Sequence, residues 1–407
     1  LIRSFIDRLV GRKAQDVGGD WFERAMFGYR ETHSGKLVNW RTALEVTAVL
    51  ACARVIAEGV AQVPWRVMRQ RAGGIGADRA TDNALYSVLN RRPNSWQTSF
   101  EYRETMLMHL VLTNNHYSVK NRVRGEIREL IPVMPGSVTV TRNNDLSLTY
   151  RITLEDGTQL TLPQEDVWHV RGPSWNSWLG MEAVQLAREA IGLSMSLEET
   201  SASFQKNAAR PSGVYSVEGS LTPEQYTKLV EYAERAAKNG AGKPFILDRN
   251  AKWIPMQLSG SDMQLLENRK FQLEEVARAM RVMPLMIGVA EKSNTYASAE
   301  QMFLAHVTHT LMPWYERIEQ SADVNLLGVR DDTGLYTHLD PKALLRGAAK
   351  DRAAFYATAL GAGGGRPFLT QDEVRDEEDY NPQGGDAAVL GQPLGTAPTP
   401  KPDKPQD

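Results

Sequence analysis

Residues 116–170 read HYSVKNRVRGEIRELIPVMPGSVTVTRNNDLSLTYRITLEDGTQLTLPQEDVWHV. Apolar and polar side chains alternate in six short runs: His116–Val123, Ile127–Val133, Ser137–Arg142, Thr149–Leu154, Gln159–Leu162 and Val167–Val170. Gly125, Pro135-Gly136, Asn143-Asn144 and Asp156-Gly157 punctuate them. A period of two between turn residues predicts one antiparallel β module, and Asp156-Gly157 predicts a two-residue hairpin turn.

Upstream the period becomes helical. Leu44, Val49, Cys52, Val55, Ile56 and Val60 mark one face of a helix that ends near Pro64. A short strand, Trp65–Gln70, follows, and a helix runs from Ser99 as N-cap to about Leu112, stopped by Asn114-Asn115. Helices before a β module make the first 170 residues α+β. Residues 1–39 carry Gly18, Gly19, Gly28 and Gly35 with weak periodicity and read as a flexible N-terminal arm. The opening segment, with Ile2, Phe5, Ile6 and Leu9 among Arg3, Arg8, Arg12 and Lys13, is amphipathic but lacks a signal-peptide apolar core.

Downstream, the spacing predicts a long helix over 182–208 with Leu186, Ala190, Leu193, Leu197 and Phe204 along one stripe. Residues 209–258 form a compact insert. It holds a strand at Val214–Val217, a helix with Thr222 as N-cap and Pro223 in its first turn, and strands at Phe245–Leu247 and Trp253–Gln257. A second long helix spans Ser261–Met280 and stops before Pro284. A helical stretch from about Ala297 to Leu327 is expected to kink at Pro313. Ala343–Leu360 is a further helix closed by the Gly361–Gly365 run. Thr370-Gln-Asp-Glu373 is a capping box. Six prolines and four glycines among the 27 residues of 381–407 read as a disordered tail.

The 407 residues are 42% apolar and 24% charged, which excludes a wholly disordered chain, a collagen and a membrane bundle. Lys plus Arg is 47 against 49 Asp plus Glu, a net charge of −2. A protein that grips nucleic acid over a broad surface is basic, so any contact with DNA here is light or local. Cys52, the single cysteine, sits in helical apolar spacing and reads as a core residue; it excludes an intrachain disulfide. No apolar run is long enough for a transmembrane helix, and a reducing cytoplasm fits the cysteine usage.

Motifs for chemistry fail one by one. Gly240-Ala-Gly-Lys243 lacks the first glycine of a phosphate loop, at Ala237, and Pro244 stands where Ser or Thr would hold magnesium. Gly361-Ala-Gly-Gly-Gly365 follows a helix rather than a strand, unlike a dinucleotide fingerprint. His306 and His309 have no third metal ligand in view. Ser203-Phe-Gln-Lys206 lacks the companion elements of a Ser-x-x-Lys nucleophile. The reading is of a non-enzyme without cofactor, catalytic residue or metal.

Several segments resemble the portal protein family of tailed bacteriophages, in its siphovirus branch. They are ACARVIAEGVAQVPW (51–65), RRPNSWQTSFEYRE (91–104), VWHVRGPSWNSWLGMEAVQLAREA (167–190), AARPSGV (208–214), ENRKFQLEEVARAMRVMPLM (267–286), residues 299–320 with Leu311-Met-Pro-Trp314, and FLTQDEVR (368–375). The resemblance implies a ring, usually of twelve subunits, at one capsid vertex of the virion, assembled in the host cytoplasm. Double-stranded DNA enters and leaves through it without regard to sequence. The implied partners are the large terminase subunit, a head–tail adaptor, the major capsid protein and scaffold, and no membrane. By this resemblance 40–181 with 299–339 is a wing, 182–208 and 259–284 are the stem helices, and 209–258 is a clip. Residues 285–298 are then a channel loop and 340–380 a helical crown.

Packing geometry favours about twelve subunits over six and does not separate twelve from eleven or thirteen. Helices in contact lie ~10 Å apart, so twelve axes sit on a circle of radius ~19 Å and, less ~5 Å of helix thickness, leave a lumen of roughly 28 Å. B-form DNA, about 20 Å wide, passes that opening, whereas six helices leave only ~10 Å. On a helical wheel Leu266, Leu273, Ala277 and Met280 share one face, while Glu267 and Glu274 lie about 100° away. With Arg278 they are the stem's candidates for the lumen. In the loop Gly288–Ser298, Glu291, Lys292, Ser293, Asn294 and Tyr296 are the candidates for contact with the DNA backbone. Thr222, Glu224, Gln225, Lys228 and Glu231 of the clip helix are candidates for docking the packaging motor. The competing expectations are another ring connector, which would be a shorter chain, and a DNA-processing component, which would need a carboxylate–metal cluster or a complete phosphate loop.

Overall fold

The computed structural model describes residues 32–71, 76–207, 213–216, 222–224, 226–228, 231, 252–255, 261–289, 296–328, 334–341, 344, 349–378 and 380–391. The chain divides into two units, 1–340 and 341–407.

In the first unit, α1 (Trp40–Ala43) is capped by the Asn39 side chain, which accepts from the Arg41 and Thr42 N–H groups. α2 (Thr47–Ala61) is apolar around most of its circumference and buries Val49, Cys52, Ile56 and Val60 to within 1% of full burial. It is a central core helix rather than an amphipathic one. Burial pushes the Cys52 thiol up to about 12, so this cysteine packs and does not react. β1 (Trp65–Gln70), β2 (Ala77–Arg79) and α3 (Ala84–Asn90) follow. α4 (Ser99–Thr113) starts one residue earlier than its expected cap: Thr98 and Glu101 form the capping box, and the Ser99 hydroxyl instead donates to Leu89 O. Asn114, at φ +54°, ends α4 and turns the chain directly into β3 (Asn115–Val123).

The alternating segment forms two sheets rather than one. β4 (Glu126–Val133), β3 and β8 (Val167–Arg171) make the first, with β3 central; β5 (Val138–Arg142), β6 (Leu148–Thr153) and β7 (Gln159–Pro163) make the second. Tyr117, Ile131 and Val167 from the first bury against Val138, Tyr150 and Leu162 from the second in one apolar cluster. Arg124-Gly125, both at positive φ (55° and 86°), is the two-residue type I′ turn. At Asp156-Gly157 only Gly157 is left-handed (φ +80°), and Leu154 N–H pairs with Thr158 O, so that hairpin has three loop residues, not the two expected.

The chain continues through α5 (Ala183–Leu186), α6 (Arg188–Asn207), the β9 (Gly213–Ser216) and β10 (Lys252–Pro255) pair, and α7 (Ser261–Ala279). α8 (Tyr296–His306) passes through a π-helical turn, Val307–Leu311, into α9 (Met312–Ala322). β11 (Leu335–Leu339) then returns to pair with β1, Trp65 opposite Leu339. The adjustment expected at Pro313 thus lies one turn earlier, as wider helical winding. Proline cannot donate to the carbonyl four residues back; that carbonyl, His309 O, accepts instead from the Arg281 guanidinium at 3.1 Å.

In the second unit, α10 (Ala349–Ala359) is closed by Gly361 at φ +90°, and α11 (Gln371–Glu377) opens with the expected Thr370–Glu373 capping box. Residues 381–391, read from composition as disordered, fold back: the Gln383 and Gly384 N–H groups donate to the Asp372 carboxylate at 2.7 and 2.8 Å. Residues 392–407, 1–31 and the strand expected at 245–247 lie outside the described residues. Of the expected arm, 32–39 are packed: Thr32 lies over Gly192 of α6, where a Cβ would come within 2.7 Å of its Oγ1, and Lys36 pairs with Glu199.

A buried polar network crosses the first sheet. His169 Nε2 donates to Asn115 Oδ1 (3.1 Å), and its Nδ1 then accepts from Tyr150 OH (3.2 Å). His116 joins His109 through their Nδ1 atoms (3.2 Å) and meets Ser118 Oγ at 2.9 Å, which Tyr102 OH also meets at 2.7 Å. Desolvation holds all three histidines neutral, His109 down to about 4, His169 to about 3 and His116 well below its usual value. The unfolded chain takes up these protons below about pH 6.5 while the folded chain refuses them, so stability is full above that pH and falls toward pH 4. His109 alone costs about 2 kcal/mol at pH 5. Urea midpoints at pH 7.5 and pH 5 should show the loss, and His109→Gln should shrink the difference between them.

Candidate functional site

Two long helices of the first unit, α6 and α7, stand on a shared apolar base. Val184 and Ile191 on one side and Val276 on the other bury against Val38, Ala43, Val46 and Leu112. The single helix expected over 182–208 has a dihedral break at Ala187 (φ −93°, ψ 7°), but Ile191 N–H still bonds Ala187 O at 3.1 Å. Its expected leucine stripe does not face the base. Leu186 is 68% exposed and Leu193 42% exposed, while Ile191 and Ser194 are buried. The Phe204 side chain lies outside the described set.

α7 follows the wheel more closely. Ala277 is fully buried, and Leu273 and Met280 are half-buried against the same base. Glu267 is exposed and Glu274 half-buried, off that face. Arg278 is exposed and ion-paired with Glu275, a partner the sequence reading passed over. The chain leaves α7 at Arg281, held at φ +57°. There Thr310 Oγ1 donates to Arg281 O at 2.7 Å, so the second long helix is bolted to the π turn between α8 and α9.

Of the loop candidates, Glu291, Lys292, Ser293 and Asn294 lie outside the described residues. Tyr296 is not in a loop: it is the first residue of α8. Of the insert candidates, Thr222, Glu224, Lys228 and Glu231 are exposed and Gln225 lies outside the described residues. Tyr226 N–H bonds Thr222 O at 3.0 Å, which starts a helical turn where the Thr-Pro signal placed it. The Gly240–Lys243 segment is outside the described residues. His306 is buried, and desolvation lowers its pKa; His309 contributes its carbonyl to Arg281. Among the described residues no cluster of His, Cys, Asp or Glu could hold a metal ion, and no helix is long and apolar enough to cross a membrane.

Sequence reasoning missed the junction that aims α5 and α6. The Asn115 side chain donates to Thr113 O (2.8 Å) and Gly180 O (3.1 Å) and accepts from Gly180 N–H (2.8 Å) and His169. Asn114 donates to Met181 O at 2.5 Å, and a Cβ on Gly180 would lie 1.9 Å from Asn114 O. The adjacent asparagines read as a helix stop; nothing local announces that they also clamp residues 65 positions away.

The phage portal protein family matches residues 47–379, and this chain belongs to it. It is 27% identical to the portal protein of Enterobacteria phage HK97 over 86% of this chain and 83% of that one. It is 29% identical to the probable portal protein of Streptomyces phage phiC31 over 86% and 78%. Among solved structures, the neck of a native gene transfer agent particle, computed with C12 symmetry, aligns with TM-score 0.60 and 25% identity over 84% of this chain and 92% of that one. A phage portal protein of the HK97 family from Corynebacterium diphtheriae aligns with TM-score 0.54 and 20% identity over 74% and 95%.

Glu267 and Glu274 have no ion-pair partner among the described residues and do not belong to the buried base. Glu267→Lys with Glu274→Lys should therefore change stability by no more than about 0.5 kcal/mol per site, read as the urea midpoint. Asn115→Ala should cost about 2–4 kcal/mol, because it strands several buried partners at once. Gly180→Ala should be harsher than any surface change, for want of room beside Asn114.

Proposed function

We propose that twelve copies of this chain form a ring at one capsid vertex and act as the conduit for genome DNA during packaging and ejection. The observation that carries the reading is the pair α6 and α7, rooted on the apolar base of a chain that belongs to the portal family, with Leu186 of α5 and Leu193 of α6 left uncovered. Long helices with exposed apolar residues need neighbours. Support for twelve comes from the packing arithmetic and from the similar gene transfer agent neck computed with C12 symmetry. On this reading 40–181 with 299–339 is the wing, 209–258 the clip and 340–380 the crown.

The clip helix with Thr222, Glu224, Gln225, Lys228 and Glu231 docks the large terminase subunit during packaging and a head–tail adaptor afterwards. Major capsid protein and scaffold surround the ring. Glu267 and Glu274, with Arg278 near by, line the stem lumen as stacked carboxylate rings that keep phosphate from sticking, since each phosphate neutralised by a basic side chain adds salt-sensitive affinity. Residues 285–298 form the channel loop. Lys292 meets the backbone transiently, with Glu291, Ser293 and Asn294 beside it and Tyr296 at the loop's helical edge. The protein supplies a passage and no hydrolysis of its own.

Light scattering of the pure protein should give a mass near twelve chains; a monomer at working concentration, or ATP turnover, overturns the reading. Lys292→Ala should leave ring mass unchanged and shorten or destabilise the packaged genome, checked as DNA length in purified particles. Full-length, stably held DNA with the loop deleted would remove the channel role from residues 285–298.

A further inference from the structure

The loop between β8 and α5 is tied shut at its neck and holds a tryptophan out in water. Gly172 N–H donates to Asn114 O at 2.8 Å, and Met181 N–H to Pro173 O at 2.9 Å. Within the loop, Asn176 Oδ1 accepts from the Trp178 and Leu179 N–H groups (3.2 and 2.9 Å), and Arg171 donates to Ser177 O at 2.9 Å. The result is a compact loop braced by its own hydrogen bonds, of the kind that carries function. Trp175 stands at its tip with 91% of its surface exposed.

On the other limb of the same loop, Leu179 and Gly180 border a cavity of about 210 Å³, space for roughly seven waters at ~30 Å³ each. Trp40, Leu112, Val138 and Val184 give it apolar walls, and Glu182 lies among them. The Glu182 carboxyl has no hydrogen-bond or ion-pair partner among the described residues, and burial raises its pKa. Trp175 does not line this cavity. Each chain thus carries a knob whose N–H donor meets no protein acceptor among the described residues, and beside it a hollow whose acceptor meets no donor among them.

We propose that the Trp175 indole of one copy seats in the cavity beside Glu182 of the next copy, an inference that rests on the ring reading above. Indole is a donor-only group on a large apolar body, which suits apolar walls with one acceptor. Tryptophan is also among the residues that most often anchor an interface. A knob on one copy that fills the hollow of the next can repeat from copy to copy around a ring, so that every knob and hollow is filled. A second copy is the occupant because the donor and the acceptor, each unmatched within its own chain, complement one another.

Cys52 is the only native cysteine and is buried, so introduced thiols can be read cleanly. Chains with Trp175→Cys are mixed as a minority with chains carrying Thr139→Cys, a residue of the cavity wall, and the rings are treated with a short bismaleimide. Cross-linked pairs that need both cysteines are expected. Trp175→Ala, at a position too exposed to affect folding of the single chain, should raise the concentration at which rings dissociate about tenfold or more, with an unchanged melting curve for the monomer. Intact rings without the cross-link, and as persistent with alanine as with tryptophan, overturn this contact while leaving the ring itself standing. Failure of the parent chain to form any ring overturns both.

Discussion

Four hydrogen bonds converge on the Asn115 side chain, and the passage from the β4-β3-β8 sheet to α5 and α6 depends on them. A buried amide must satisfy both donors and its acceptor or cost a large part of the net stability. Here that requirement locks the end of α4, the centre of the β4-β3-β8 sheet and the approach to α5 into one geometry. His169 serves Asn115 with its proton on Nε2, and its Nδ1 accepts from Tyr150 OH only while the ring is neutral, a state that burial favours. The direction of α5 and α6 thus follows from an uncharged network in that sheet.

A different device holds α7. Pro313 frees a carbonyl in the following helix, and Arg281, turned into the left-handed region at the end of α7, satisfies it. The end of α7 is therefore bonded twice to the π turn, through His309 O and through Thr310 Oγ1. Outside these joints Leu186 of α5, Leu193 of α6 and Glu267 of α7 remain exposed.

Much of the fold was legible in local pattern. The run from His116 to Val170 alternates because each strand has one face on the common core, and all six strands appear within one or two residues of their expected ends. The Thr370–Glu373 cap and the stop at Asn114 are local backbone chemistry and were readable for that reason. The candidate site was less legible. The leucine stripe of 182–208 was visible, but which residues meet their own chain was not: Ile191 turns to the base while Leu186 and Leu193 turn away. Trp175 gave no signal, because the loop carries two tryptophans, and local sequence does not say that Trp178 packs against the core while Trp175 is displayed.

By itself the sequence determined the elements, their order, the two long helices around an insert, and membership of a family. Each of those depends on periodicity or on residues within a few positions of one another. Tertiary structure alone decided that the alternating strands divide into two sheets, that residues 32–39 and 381–391 pack rather than dangle, and that Asn115 governs residue 180. Those outcomes turn on contacts between segments far apart in the chain. Such contacts exist only once burial has removed water as the competing partner, and no local pattern encodes that condition.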